Sequence, residues 1–341
     1  MYYQRILFTI FCLSSLLLQP ALANSVGFIP LHIEANAMRP LEGAMWYPTD
    51  ETEAKVLIGD NPAFIGVPVI QHASIDTKNA PLVVLSHGYR GNWRNQSWLA
   101  YSLAQKGYIV AAINHPGTTS FNHKASQAAQ WWQRPKDMSH LLDHLLSNNS
   151  YRNKIDKQNI TAIGHSLGGW TVMQLIGAQL DRTAFKRDCQ QYPNSRTCGL
   201  ADELGLSTRQ GAEPSSHNLS DPRIKRVVSL DLGLARSFST TSLASVSQPT
   251  LILAAGVDIG DLPQAMESGY LAERMGRAHR RYKVYQNATH FSFIQACKPN
   301  AVTLLEAEKQ GDGIICQDGR GAQRSTLHQQ IIDDIVQFLA D

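Results

Sequence analysis

Ser166 lies in Gly164-His165-Ser166-Leu167-Gly168, between an apolar, β-branched run from Ile160 to Ile163 and a pattern with apolar residues at Leu167, Val172, Leu175 and Ile176. That order predicts a strand, a sharp turn and a helix, with the serine at the turn. Gly164 and Gly168 remove the Cβ atoms that would collide where strand and helix cross, and Gly169 lets the two pack closely. The hydroxyl then projects near a helix N-terminus, where N–H groups favour developing negative charge. The chemistry open to such a group is nucleophilic attack. An ordinary turn with a solvated serine is the competing reading, and the flanking strand and helix weigh against it.

A serine hydroxyl is a poor nucleophile at neutral pH; it needs a base, and the base needs an orienting acid. With the serine on a strand-to-helix turn, the expected order along the chain is serine, acid, histidine. His290, in Asn287-Ala288-Thr289-His290-Phe291, follows the last expected strand and fits the base. His279 sits among Arg277, Arg280 and Arg281 at the other end of that strand and fits less well. Two aspartates compete for the acid. Asp258, beyond the strand Pro249 to Ala255, is preferred because that strand neighbours the one feeding the histidine loop; Asp231, at the end of the preceding strand, is the alternative. Asp261 reads as a surface or helix-capping residue.

An oxyanion needs two donors, and the expected ones are the backbone N–H groups of Leu167 and of Tyr89, which follows His87-Gly88. The Tyr89 ring also offers a wall for an acyl group. Such a constellation requires neither cofactor nor metal. His140 and His144 have the i, i+4 spacing of a metal site but lack the glutamate of a His-Glu-x-x-His pattern, so a solvated helix face is the better reading. Trp131 and Trp132 read as packing residues.

The elements that must hold these residues follow from hydrophobic pattern. Val26 to Ala35 and Glu42 to Tyr47 read as an antiparallel hairpin or meander at the sheet edge, and residues 50–78 as loop with a short helix or strand. Pro81 to Ser86, Tyr108 to Ile113, Ile224 to Leu230, Thr250 to Ala255 and Tyr282 to Tyr285 read as strands; Trp98 to Gln105, Pro135 to Leu146, Leu262 to Met275 and Leu327 to Leu339 read as helices. Alternation of this kind predicts an α/β fold: a doubly wound, mostly parallel sheet with function at the strands' carboxyl ends. Residues 182–223 break the rhythm, with two cysteines and no sustained period. Such an insertion after the nucleophile helix serves either as a lid over the cleft or as surface decoration.

The 341 residues carry a formal net charge of +3, with Lys and Arg dispersed, so nucleic acid is not an expected partner. Residues 1–23 combine a positive start, an apolar run from Ile6 to Leu18 and Ala21-Leu22-Ala23, the pattern of a signal peptide; an uncleaved anchor is the alternative. Residues 24–341 then form a single exported domain, periplasmic or secreted, with no transmembrane segment. Cys189, Cys198, Cys297 and Cys316 make an even set in an exported chain. Three pairings are possible, and Cys189 with Cys198 and Cys297 with Cys316 are favoured because each pair brackets a loop-like stretch.

From Gly27 to Leu339 the chain resembles the α/β-hydrolase superfamily, and within it exported bacterial hydrolases grouped with platelet-activating-factor acetylhydrolases and dienelactone-hydrolase-like proteins. The resemblance rests on Trp46-Tyr47-Pro48-Thr49, Ser86-His87-Gly88, Gly164 to Gly169, His290 to Phe293 with Cys297, and Cys316-x-Asp318 followed by Arg324. The stretch Pro249 to Asp258 is similar to the acid-bearing strand of cutinase-like polyester hydrolases, which implies Asp258; the acetylhydrolases place their acid after the preceding strand, which implies Asp231. A dienelactone hydrolase proper carries a cysteine nucleophile, so serine at 166 argues against that activity. The resemblance implies a serine hydrolase acting on a small-molecule or lipid ester through an acyl-enzyme. An exported peptidase with the same triad, or a non-catalytic binding protein on the same scaffold, are the alternatives.

Overall fold

The computed structural model describes residues 25–34, 39–194, 196–206, 218–260 and 263–341. The expected signal peptide and Asp261 lie outside the described residues. Ten strands occur among the described residues: β1 (Ser25–Ile33), β2 (Leu41–Thr49), β3 (Val56–Ile58), β4 (Val67–Gln71), β5 (Ala80–Ser86), β6 (Ile109–Ile113), β7 (Ile155–His165), β8 (Arg226–Leu230), β9 (Thr250–Ala255) and β10 (Arg280–Tyr285). They form one sheet in the order β10-β9-β8-β7-β5-β6-β2-β1-β4-β3. The run from β10 to β6 is parallel throughout, and β2 joins β6 antiparallel.

The helices are α1 (Ser97–Gln105), α2 (Ala125–Ala128), α3 (Gln133–Ser147), α4 (Leu167–Gln174), α5 (Arg182–Gln191), α6 (Thr197–Glu203), α7 (Thr240–Ala244), α8 (Ser268–Arg274), α9 (Ala301–Glu308) and α10 (Arg324–Ala340). Strand residues alternate between two cores, as a pleat with period two requires. Leu82 and Val84 of β5 pack with α3, α4 and α8, whereas Val83 and Leu85 pack with α1 and α10. A sheet covered on both faces explains why these strands read as unbroken apolar runs.

From β5 the chain crosses to β6 on one side, then returns past β5 to β7, β8, β9 and β10 on the other. The strand order therefore reverses between β5 and β7, where an open α/β sheet leaves a crevice at its carboxyl end. Ser86 and His165, the last residues of these two strands, bring His87-Gly88-Tyr89 and Ser166 to that crevice.

The sheet differs from the sequence reading at its edge. The β1–β2 hairpin is interior, because β4 pairs with β1 and β3 with β4 beyond it. These two strands are short, and Pro68 interrupts the hydrophobic pattern that would have revealed the second. The insertion after α4 is also more regular than expected, containing α5 and α6. Helix α5 is polar overall and buries only Phe185, so it has too few apolar residues to stand out as a helix in the sequence. Helix α8 begins at Ser268, after a 3-10 turn at Gln264–Met266, because Pro263 and the buried Glu267 interrupt the longer helix read from Leu262 onward.

Candidate active site

Ser166 has φ 55° and ψ −121°, a backbone state that a non-glycine residue keeps only where its surroundings impose it. The constraint is visible around it. A Cβ on Gly164 would lie 2.1 Å from the Gly168 carbonyl oxygen, and one on Gly168 would lie 1.9 Å from the Ser86 carbonyl oxygen. The Ser166 N–H donates to the Leu230 carbonyl at 2.9 Å, which ties the turn to the end of β8. A Cβ on Gly88 would meet the Ser166 Cβ at 3.1 Å, so the loop after β5 presses directly against the serine.

His290 opens a 3-10 turn, His290–Phe293, beyond β10. Its Nδ1 donates to Asp231 Oδ2 at 2.7 Å. The second carboxylate oxygen of Asp231 accepts the Ala255 N–H at 2.8 Å, and its own N–H donates to the Leu253 carbonyl at 2.7 Å. Asp231 has φ 44°, a bend that turns its side chain off the end of β8. The aspartate in contact with His290 is thus Asp231, the alternative, and not the preferred Asp258. Asp258 is exposed and accepts the N–H of Gly260 at 3.0 Å within its own loop. The reason lies in the path of the histidine loop, which leaves β10 and folds back across β9 and β8, so that the His290 carbonyl accepts from His165 Nε2 at 2.9 Å. The strand beside the nucleophile strand, not the strand beside β10, is the one under the imidazole.

Ser166 and His290 line one cavity of about 270 Å³ together with Tyr89, Leu167, Leu234 and Phe291. Leu167 is the first residue of α4, so its N–H has no partner one turn back in the helix. Thr197, Leu200 and Glu203 of α6 form the opposite wall, so part of the insertion sits over the cleft. The Tyr89 hydroxyl donates to Glu203, and Arg90 pairs with the same carboxylate at 3.5 Å. Cys189 is joined to Cys198 across α5 and α6, and Cys297 to Cys316 behind the histidine turn.

Several groups that position this site were assigned no role from the sequence, although all but Glu267 lie within the motifs that carry the resemblance. His165, the variable residue of the serine turn, is fully buried; burial pushes its pKa well below 6.5, and the neutral ring donates to the histidine loop. His87 Nε2 accepts the His115 N–H at 3.0 Å, so its Nδ1 is the donor to the Gly88 carbonyl at 2.7 Å. Glu267 accepts the Ala235 N–H at 2.7 Å and the Thr197 hydroxyl at 2.9 Å, joining the acid loop to α6. Burial raises its pKa to about 7 against the opposing pull of those hydrogen bonds and of Arg236. Ser292 and Arg324 both bond to Asp318, which braces the far side of the histidine turn.

His140 faces Asp143 at 3.7 Å on the exposed side of α3. Among the described residues no group of three His, Cys, Asp or Glu side chains comes together as a metal site would require. No helix among them is long and apolar enough to cross a membrane.

Residues 77–186 match a family described as serine aminopeptidase, S33. Over 104 residues the chain is 30% identical to cutinase est1 of Thermobifida alba, covering 30% of this chain and 32% of that one. Over 110 residues it is 34% identical to a probable dipeptidyl-peptidase 5 of Arthroderma benhamiae, covering 30% of this chain and 15% of that one. The shared stretch is thus a minor part of either relative. A ferulic acid esterase from Streptomyces cinnamoneus superposes with a TM-score of 0.63 over 95% of this chain and 91% of its own, at 17% identity, a likeness of fold.

Proposed function

We propose, from an α/β-hydrolase-like fold and the match of residues 77–186 to a serine hydrolase family, that the chain is a serine esterase cleaving carboxylic esters with a short or medium acyl chain. The observation that carries this reading is the Asp231–His290 hydrogen bond beside a cavity that also holds Ser166. With Nδ1 committed to the carboxylate, Nε2 is the nitrogen left to accept the serine proton. Ser166 Oγ attacks the ester carbonyl while His290 takes that proton. The tetrahedral oxyanion is held by the N–H groups of Leu167 and Tyr89. Collapse expels the alcohol, protonated by His290, and leaves an acyl-serine. Water, deprotonated by the same imidazole, then releases the acid and restores the hydroxyl.

An ester is favoured over a peptide by the cavity. Leu167, Leu200, Leu234 and Phe291 give it apolar walls, and its carboxylate, Glu203, is already engaged by Tyr89 and Arg90 rather than open to a substrate ammonium. The match to a serine aminopeptidase family makes an exported peptidase the second reading. Export itself is supported by the two disulfides.

The test compares p-nitrophenyl esters of graded acyl length with an aminoacyl p-nitroanilide, for the native chain and Ser166→Ala. We expect ester turnover that declines with longer acyl chains, and a loss of roughly 10⁴-fold or more in the variant. Preferential anilide cleavage establishes the peptidase instead, and ester turnover surviving in Ser166→Ala removes the mechanism.

A further inference from the structure

Behind the loop that carries Tyr89 lies a second Ser-His-Asp array. Ser86 Oγ is 2.9 Å from His115 Nε2, and His115 Nδ1 is 2.9 Å from Asp137 Oδ2. The side chains are sealed from solvent: Ser86, His115 and Asp137 each expose 0% of their surface. Arg134 Nη2 donates to Ser86 Oγ at 3.3 Å, which leaves the hydroxyl proton for His115 Nε2 and the Nδ1 proton for Asp137. Asp137 is also clamped by Arg39 at 2.7 and 2.8 Å. A serine so enclosed has no room for a substrate, so the array is not a second nucleophile.

Its connections run to the cavity. Arg134, 1% exposed, donates from Nη2 to the His87 carbonyl at 2.5 Å and from Nε to Thr171 Oγ1 at 2.9 Å. Thr171, one turn into α4, donates in turn to the Leu167 carbonyl at 2.8 Å. On the other branch, the His87 ring holds the Gly88 carbonyl, and that carbonyl belongs to the same peptide group as the Tyr89 N–H. One guanidinium thus reaches both strips of backbone that carry Tyr89 and Leu167, which line the cavity beside Ser166.

We propose that Arg134 is a positioning residue for the oxyanion pocket, fixing the Tyr89 loop through His87 and the Leu167 turn through Thr171 so that the two N–H donors keep their separation during turnover. The inference rests on the esterase reading above. A planar fork suits this task because its nitrogens bond in fixed directions to partners on two separate elements, which an ammonium on a flexible stem does not reproduce. Burial lowers the Arg134 pKa only to about 9, so the fork keeps all its protons at neutral pH. Donors held before the reaction cost no reorganisation when charge appears, and a small misplacement is felt in the rate rather than in substrate binding.

The experiment uses Arg134→Lys, which keeps the charge and loses the fork, and Thr171→Val, which keeps the volume and cuts only the bridge to α4. Ser139→Ala, on the same helix but bonded to Asp221 at 2.7 Å, supplies a stability reference outside the array. Each is assayed with a p-nitrophenyl ester and with an alkyl trifluoromethyl ketone, which mimics the tetrahedral adduct. Expected for Arg134→Lys and Thr171→Val is a kcat lower by roughly 10- to 100-fold with KM within about twofold. The inhibition constant of the ketone should weaken by the same factor as kcat. If Arg134→Lys does not fold, Thr171→Val decides alone. Unchanged kcat and ketone affinity in Thr171→Val, whatever happens to its melting point, overturn the proposal, as does an effect confined to KM. A native chain without ester turnover overturns the esterase reading and this inference with it; turnover in the native chain that the variants share overturns the inference alone.

Discussion

A carboxylate that serves a histidine must reach one particular ring nitrogen, and distance along the sequence says little about which carboxylate does so. Asp231 touches His290 Nδ1 at 2.7 Å because β8 ends beside the serine strand, and its remaining oxygen is fixed by the Ala255 N–H. Asn at 231 keeps the volume but, to satisfy Ala255, must turn its NH₂ toward the imidazole. The ring then changes tautomer and presents a proton, not a lone pair, to the serine. In the proposed mechanism Asp231→Asn should therefore cost roughly 10³- to 10⁴-fold in kcat. Asp258→Asn should stay within about threefold, since a loop-surface carboxylate contributes little to barrier lowering. Parallel kcat/KM measurements on one acetyl ester decide the matter; the reverse ranking would return the acid role to Asp258. The serine was readable from the sequence for the opposite reason: the glycines that permit its turn must sit beside it in the chain. Arg134, Ser86, His115 and Asp137 come together from β5, the loop after β6, and α3, and no local pattern marks a buried polar contact of that kind.

At the scale of elements, the strands of the parallel core were legible because each is buried on two faces and is apolar throughout. The short edge strands and α5 were not, since a three-residue strand has no period and α5 buries one apolar side chain. Helix α6 contributes Thr197 and Leu200 to a wall of the cavity. It is tied down by the Cys189–Cys198 bridge, which spans 9 residues, and by the bond from Thr197 to Glu267 at 2.9 Å. Cutting the bridge in the double variant Cys189→Ser/Cys198→Ser leaves that second tie, so α6 should loosen rather than depart. If the insertion acts as a lid, esters that reach α6 should show KM raised by up to about tenfold, the equivalent of 1.4 kcal/mol. An acetyl ester, too short to touch the helix, should keep its kcat and KM. Equal KM changes across all acyl lengths, or none, would show that α6 takes no part in binding the acyl chain.

Over the whole molecule, the organisation of the sheet leaves a set of titratable groups in the interior that bias how stability responds to pH. His87, His115, His165 and His328 are all held below 6.5 by burial, His328 down to about 3 where it stacks on Trp98 and bonds to the Ser292 and Ile294 carbonyls. An unfolded chain takes up protons at all four below pH 6.5 while the folded chain does not. Their contribution is therefore complete above that pH and is lost as the solution is acidified. Glu267 works in the other direction. Its folded pKa of about 7 lies above the ordinary 4.5, so the folded chain holds an extra proton between those values and that advantage is lost as pH rises through 7. Asp137, also raised by burial, adds to the same side. Four imidazoles outweigh two carboxyls, and the melting temperature should fall steeply as pH drops below about 6.5. Two variants separate the contributions. His328→Gln, which can still donate to the backbone carbonyls, should flatten the acid limb. Glu267→Gln, which can accept from Ala235 and donate to Thr197, should raise the melting temperature most at pH 8 and make the acid limb steeper. Melting curves from pH 5 to 8 in one buffer series read both effects. A native protein whose stability is flat across that range would mean that these histidines take up protons without leaving the fold, which overturns their burial as the source of acid sensitivity.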